Sequence, residues 1–577
     1  MRKVLFLVIA AALTMGMMAP VAAAGGPVQS AVRTNATYYN NAAFNAADSY
    51  VLHDTKTGYY YAYSTDGADK GYYFAIYKSA DLVTWQKVPG GALPVNDPGQ
   101  WGNTWFWAPE VYYNTKTGLY FMFYAARSDA NAQKWFGYAN FEEPCKIGVA
   151  VSRSPEGPFH NIANQPIDYN PYDPNYHDVN LIMGPDQKKP PATLQQGMTA
   201  PTGTYIPGID PDVYFDGYGK MYLYFSRNAY RNWNWDTDLG KYIEESNLLA
   251  VPLTSDWWND PSGRTMPSID PAYMGVNNKP GGPAGPRRDG YAQILDYDHD
   301  KQSWENADVN DYQATGGVNK DRRWEEGSTT FKHYYRGADG KMRSVYYLTY
   351  SANNWQTPQY GVGYAVASNP LGPWKKYPGN PILSQNPQIG MYSTGHGGIA
   401  FSPDGTQMYY VHHGRPTPTA AQRRLYTDQM LINPSQPDQW GYPTIRIDQA
   451  TSDRPVPSGV APYTVKASTQ SVTLAPGTAG SVSWQVSAAS GALLALGNPL
   501  NRVQATTGNP AVATVQPDSG SGAQIEAVSP GHTTVTLTYQ RQSSAGGYYD
   551  AYNIYPGAGN GTQKLVSVTI DVTVAKG

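Results

Sequence analysis

Cysteine is almost absent: Cys145 is the only one in 577 residues. A disulfide framework is thereby excluded, and stability has to come from a packed core, which a chain of this length can build. Cys145 itself, in FEEPCKIGVAVS, opens an apolar strand-like run, where a thiol serves as a small buried hydrophobe. Charge is scarce too, at 15% of residues, against about 25% in an ordinary soluble domain. The net charge is −3 and no basic stripe is present, so nucleic acid is not expected as a partner. No segment has the ~20 apolar residues of a membrane span, and none shows sustained helical periodicity.

The one markedly apolar run lies at the start. Residues 1–24 combine Arg2 and Lys3, the run VLFLVIAAAL and the small-residue site Ala22-Ala23-Ala24. This is the pattern of a secretory signal, predicting a secreted or periplasmic protein cleaved near Ala24. No cysteine near that site offers a lipid anchor.

What the chain has in excess is tyrosine, 48 against 13 Phe and 15 Trp. Tyrosine suits water-exposed sugar rings, with a flat apolar face and a polar edge. It is also a favoured strand residue, and the excess is equally explained by a β-rich fold. A turn-flanked hairpin recurs five times, as LHDTKTGYYYAYS, YYNTKTGLYFMFYA, YFDGYGKMYLYFS, YRGADGKMRSVYYLTYS and FSPDGTQMYYVHH. A second element, a strand, a Ser-containing turn and an aromatic landing, follows in YKSADLVTWQKV, VSRSPEGPFHNI and VASNPLGPWKKYPGNPIL. About four strands repeated five times predict an all-β, five-bladed β-propeller over residues 35–450. The segments 161–204 and 228–323, rich in Asn, Asp, Pro, Gly and Trp, are expected to be long loops forming walls or lids. Near residue 450 the composition shifts. Residues 451–465 are linker-like, and 466–577 show short alternating strands that predict a small β-sandwich.

Three acidic residues stand at the starts of separate units: Asp48 in AADSYVLHD, Asp210 in GIDPDVYFD and Glu326 in WEEGSTTF. A radial fold can converge them on one pocket, and a pair of carboxyls is what glycosidic cleavage needs, one as proton donor and one to activate water. Asp212 and Asp216 compete with Asp210, although Asp216-Gly217 has the form of a turn. Glu325 competes with Glu326. Adjacent strand residues face opposite ways, so one of the two enters the pocket and the other is expected as a solvated surface charge.

The ordered set ADSYVLHD, SADLVTW, WFWAPEVYY, GIDPDVYFD, EEGSTTF, GPWKKYPGNPIL and STGHGGIAFSPDG with YYVHH resembles glycoside hydrolase family 43 over the first 445 residues. The resemblance implies five-bladed enzymes acting on arabinose- and xylose-containing plant cell-wall polysaccharides, by inversion and without an organic cofactor. It implies Asp48 as general base, Asp210 as the residue that tunes and orients the acid, and Glu326 as general acid. Ser49 and Ser328 depart from the prolines usual after the base and after the acid's glycine. His396, in TGHGG, matches a histidine near the propeller axis associated with calcium or another ion, held through waters; a structural role is the alternative. Trp107 and Arg415 are candidate sugar contacts, Trp107 being equally a core residue. Invertase-like relatives are excluded, because Pro144 separates Glu143 from Cys145 and no Arg-Asp-Pro occurs. The stretch NPAVATVQPDSGSGAQIEAVSPGHTTVTLTY resembles bacterial Ig-like domains, implying a spacer or attachment module. The large loops favour an exo-acting α-L-arabinofuranosidase, with β-xylosidase, arabinanase, galactan cleavage and a non-catalytic sugar-binding propeller as alternatives.

Overall fold

Each Tyr-rich hairpin forms the inner half of a four-stranded antiparallel blade in the computed structural model. It describes residues 44–576 apart from 55, 80–81, 83–84, 169–180, 183–188, 201–204, 217–218, 228–231, 274–289, 296–299, 402–407, 448–462, 489–492, 495, 497–500, 519, 543–547 and 556–561. The signal segment and most of the linker lie outside the described residues. The five first strands are Tyr50–His53, Thr104–Asn114, Ile209–Phe215, Arg322–Arg336 and Tyr392–Phe401. Each pairs with the strand that follows it, and each touches the first strands of both neighbouring blades, so the ring closes. The result is the five-bladed propeller expected from the repeats. The recurring second element supplies third and fourth strands, as in Ala75–Ser79 with Trp85–Lys87 and Gly361–Ala367 with Lys375–Lys376.

Five apolar clusters occupy the five interfaces between neighbouring blades. Tyrosine serves these interfaces better than phenylalanine because a buried ring can still place its hydroxyl on a partner. Tyr63 donates to the Pro155 carbonyl across the first interface at 2.7 Å, and Tyr224 donates to the Pro370 carbonyl at 2.5 Å. Pro155 and Pro370 occupy equivalent turns, SPEGPF and NPLGPW. Among the described residues, the first and last blades are joined without exchanging a strand. The Ala46 amide donates to the Arg423 carbonyl at 2.8 Å, and Tyr60 donates to the Phe401 carbonyl at 2.6 Å. The tyrosine excess thus belongs largely to the blade interfaces.

The expectation of one long loop over 228–323 is corrected. This stretch contains the outer strands of the third blade, Leu248–Leu253 and Ala292–Leu295. It also contains Asn232–Asp236 and Lys241–Ser246, which extend the fourth blade, the latter by parallel pairing of 244–246 with 322–324. Polar composition hid the last two, NWNWD and KYIEES, since a strand buried within an ionic network shows no apolar alternation.

Beyond the propeller, Tyr463–Ala467, Ala479–Ala488, Gly522–Ala527 and Ala513–Pro517 form one sheet. Ser471–Leu474, Ser567–Val574, Gly531–Gln542 and Asn501–Thr507 form the body of a second. Trp484, Ile525, Val535, Tyr539 and Ile570 belong to one apolar cluster drawn from both. The first of these strands begins at Tyr463, inside the stretch expected as linker.

Candidate active site

A left-handed residue recurs at one position of every blade: Asp48 (φ 49°), Ala108 (φ 48°), Asp210 (φ 51°), Gly327 (φ 57°) and His396 (φ 43°). The pairing register shifts around the last four of these positions, which marks a bulge in the first strand. Bulges re-aim side chains and are common beside active sites. Asp and His tolerate the left-handed region better than most residues, and glycine adopts it freely. The left-handed turn, within a bulge at Asp210 and His396 and just ahead of the strand at Asp48, aims these three side chains into one cavity and places Glu326 beside them.

That cavity has a volume of about 320 Å³. Asp48, Asp210, Glu326 and His396 line it, together with Trp105, Trp107, Trp324, Trp355, Arg322 and Arg423. No tyrosine is among the described lining residues, so the aromatic wall is made of tryptophan. Trp105 and Trp107 stack with centroids 5.0 Å apart, and Arg127 covers Trp105 at 4.3 Å. Arg423 lies 4.2 Å above Trp355.

Asp48 is surrounded by donors. Its Oδ1 is 2.8 Å from the Arg423 guanidinium and 3.2 Å from His396 Nδ1, and its Oδ2 accepts from Thr65 at 2.7 Å. Burial opposes its charge, but Arg423 and His396 outweigh burial and hold the carboxyl well below its ordinary range. His413 Nδ1 also lies 3.4 Å from Asp48. That contact is not an ion pair, because the same nitrogen accepts the Asp48 amide at 3.2 Å and so carries no proton. Burial and the Arg423 charge push the His413 pKa well down, in agreement.

Glu326 lies in the opposite electrostatic environment. Burial, then the nearby Asp210 carboxylate, raise it to about 8, although Tyr360 donates to Oε1 at 2.8 Å. Asp210 is raised too, by burial and by Asp48. Asp210 Oδ2 nevertheless accepts from Ser226 at 3.1 Å and from the Gly327 amide at 3.2 Å. Two donors favour its charged form, so of the two carboxyls Glu326 is the one that keeps a proton. Asp210 thereby also holds the peptide that follows Glu326. Burial disfavours charge on His396, but Asp210, Asp48 and Glu326 prevail and set its pKa at about 9. A protonated imidazole bonded to Asp48 has no lone pair for an ion. No cluster of three or more His, Cys, Asp or Glu able to hold a metal occurs among the described residues. The donor set does not fit a directly ligated calcium.

The competing acids have other places. Asp212 is buried but is not a lining residue; with Glu110 it forms a second acidic pair one step along the strands. Asp216 closes a turn, its carboxylate accepting the Lys220 amide at 2.8 Å. The expectation that Glu325 is a solvated charge is corrected: it is fully buried against Lys376, which also bonds Glu305 at 2.8 Å. Trp107 lines the cavity and also packs on Ala125, Cys145 and Ile209. Arg415 is not a lining residue. It donates to the Gln356 carbonyl at 2.5 Å and so braces the loop that carries Trp355. Arg423 and Trp355 carry no signal in the sequence, because only ring closure and the loops bring them to the cavity. Tyr360 bonds Glu326 without lining the cavity, and Trp324 lies two residues before Glu326 on the same strand.

The sequence profile of Glycosyl hydrolases family 43 matches residues 42–189 and 270–441, together more than half of the chain. The chain belongs to that family. This family 43 glycosyl hydrolase is 25% identical over 385 residues to a β-D-galactofuranosidase of Aspergillus niger, across 65% of this chain and 76% of that protein. Among solved structures it is similar to a thermostable family-43 glycoside hydrolase, at 25% identity and TM-score 0.48 over 73% of this chain and 99% of the other. It is also similar to an endo-1,4-β-xylanase from Bacteroides thetaiotaomicron, at 25% identity and TM-score 0.44 over 73% and 97%.

Proposed function

We propose that this glycosyl hydrolase is an exported, exo-acting α-L-arabinofuranosidase that works by single displacement with inversion. The observation that supports it is the divergence of two carboxyls on one cavity: Glu326 raised to about 8, Asp48 held well below its ordinary range. Environments that push two titratable groups apart assign the acid to one and the base to the other. Glu326 protonates the glycosidic oxygen while Asp48 draws a proton from the attacking water on the opposite face of the sugar ring. Asp210 keeps the acid protonated and oriented through the Gly327 amide, and His396 keeps Asp48 ionised. Trp107 offers a face for the sugar, and Arg415 acts behind the wall. A cavity of about 320 Å³ is near the small end of ligand pockets, roughly 300–1,000 Å³, which suits a chain end rather than a long polymer segment. No organic cofactor enters this scheme, and calcium, if bound, would sit through waters. We further infer that the C-terminal sheets are an Ig-like spacer and that the mature chain begins after Ala24.

The test is product analysis on arabinan, arabinoxylan and aryl furanosides, with the parent beside Glu326→Gln. Free arabinose from the parent, appearing first as the anomer opposite to that of the substrate by proton NMR, is the expected result. Retention of configuration, or a fully active Glu326→Gln, would sink the mechanism. In a complex with an inert substrate analogue the two carboxyls should be about 6.5–9.5 Å apart. A second reading, β-D-galactofuranoside cleavage, is favoured by the Aspergillus niger relative. Preferential release of galactose in the same panel selects it.

A further inference from the structure

Glu326 is held at both of its flanking peptides. On one side the Gly327 amide is bonded by Asp210 and by Ser226, at 3.2 and 3.1 Å. On the other side the Ser246 hydroxyl, shared between the Arg227 and Glu325 carbonyls, lies 3.1 Å from the latter. The side chain of Glu325 points away from the cavity, as alternation along a strand requires. There it meets Lys376, from the outermost strand of the same blade, and Lys376 bonds both oxygens of Glu305, at 2.8 and 3.0 Å. All three side chains are fully buried. Tyr350 donates to Glu305 at 2.7 Å, and Asp300 accepts the Lys376 amide at 2.7 Å, so the cation is fixed from its own side.

Two carboxylates on one buried ammonium are a costly device if stability alone were needed, since well-packed apolar residues often serve at least as well. The device is rigid, however, and it is attached to the residue that precedes the acid. We propose that Lys376, Glu325 and Glu305 form a positioning cluster that fixes the direction of the Glu326 carboxyl towards the leaving oxygen. This rests on Glu326 being the general acid. Turning the Glu325–Glu326 peptide by a small angle would displace that carboxyl, and a displacement of about 1 Å can cost roughly a hundredfold in rate.

Acid assistance matters when the departing oxygen is strongly basic and hardly at all when it is an acidic phenol, which leaves unaided. A loss of acid positioning is therefore confined to poor leaving groups, whereas a general loosening of the fold reduces both. The experiment compares alkyl and 2,4-dinitrophenyl glycosides of the sugar that the parent releases, using the parent, Glu326→Gln and Glu325→Gln. Glu325→Gln keeps the shape and leaves Lys376 paired with Glu305. Its kcat is expected to fall about tenfold or more on the alkyl glycoside and less than about twofold on the dinitrophenyl one, following the pattern of Glu326→Gln. Equal losses on both substrates, or none, would overturn the proposal while Glu326→Gln stays selective. If Glu326→Gln is itself unselective, the acid assignment fails instead, and a parent inactive on every glycoside refutes the functional reading and this inference with it. Should Glu325→Gln not accumulate as folded protein, Glu305→Gln loosens the same cation from its far side and is judged by the same criterion.

Discussion

Gly327 shows how narrowly single residues are constrained around the acid. Its φ of +57° is left-handed, and a Cβ there would lie 2.7 Å from the His396 ring. Gly327→Ala therefore pays about 1–2 kcal/mol in backbone strain and also displaces the imidazolium that holds Asp48. A loss of stability of at least that size in urea unfolding is expected, with kcat reduced about tenfold or more. Wild-type values in both measurements would show that His396 can move aside without consequence. The protonation states give a second prediction at this scale. As the proposed general acid Glu326 must carry its proton, so kcat/KM should fall above pH 8 or so, the value to which burial and Asp210 raise it. Asp48 stays ionised far into acid, so no loss from it is expected between pH 5 and 7. Stability follows the same groups. Glu326 and His396 both have folded pKa values above their ordinary 4.5 and 6.5. The folded state thus binds more protons, and these two groups make stability decline as pH rises between about 4.5 and 9. Asp48 acts in the opposite sense, its contribution being lost only as pH falls below the ordinary carboxylate range. Melting curves of the parent and Glu326→Gln across that range provide the check, with a shallower decline expected in the variant.

Among the elements, the extension of the fourth blade is the one that hydropathy conceals. Its strands are written in Trp, Asn, Glu and Lys, and they are held by ions. Arg323, almost fully buried, bonds Asp236 at 2.7 Å, Glu245 at 3.4 Å and Asn306 at 2.9 Å. From this extension and the strand beside it come Ser246, Arg322 and Trp324 of the cavity wall. Arg323→Leu would remove the nearer cation from Asp236, which keeps Lys301 at 3.4 Å, and the guanidinium from Glu245. Breaking buried pairs of this kind costs up to about 3–5 kcal/mol. The expected outcome is a lower unfolding midpoint together with a raised KM, because the wall loosens while Asp48 stays on other supports and Glu326 keeps the Asp210 and Ser226 bonds to the peptide that follows it. An unchanged KM would detach this extension from substrate binding. The strands that carry the cavity's acids, by contrast, are legible in the sequence. GIDPD, AADSY and EEGST each put an acid at the head of a Tyr-rich hairpin, and hairpins are local in the chain. The left-handed turn that aims those acids is less legible. Only Ala108-Pro109 and Asp210-Pro211 mark it with a proline, which steers the preceding residue away from the right-handed helical region. Arg423 and Trp355 are not legible at all: Arg423 reaches Asp48 where the fifth blade meets the first, and Trp355 comes from the loop between the second and third strands of the fourth blade.

At the scale of the whole molecule, the repeat explains why one sequence can carry both a rigid scaffold and a strained site. Five interfaces are closed by large aromatic clusters, and the left-handed turn is repeated once per blade, in or just before the first strand. Each such turn costs little beside the interface that restrains it, which is how strained conformations persist at functional sites. The C-terminal sheets have a cluster of their own, built entirely from residues 463–574. Two separate cores predict two cooperative units. A chain ending at Ile447 should therefore keep the high-enthalpy propeller transition in calorimetry and lose the smaller one. On soluble aryl glycosides its kcat/KM should stay within about twofold of the parent, because every described cavity residue lies between Asp48 and Arg423 and the proposed spacer would contribute no catalytic group. On insoluble polysaccharide the same truncation should lower the rate if the sheets serve attachment. A fall in turnover on the soluble substrate, or the disappearance of both transitions together, would mean that the C-terminal sheets support the propeller itself.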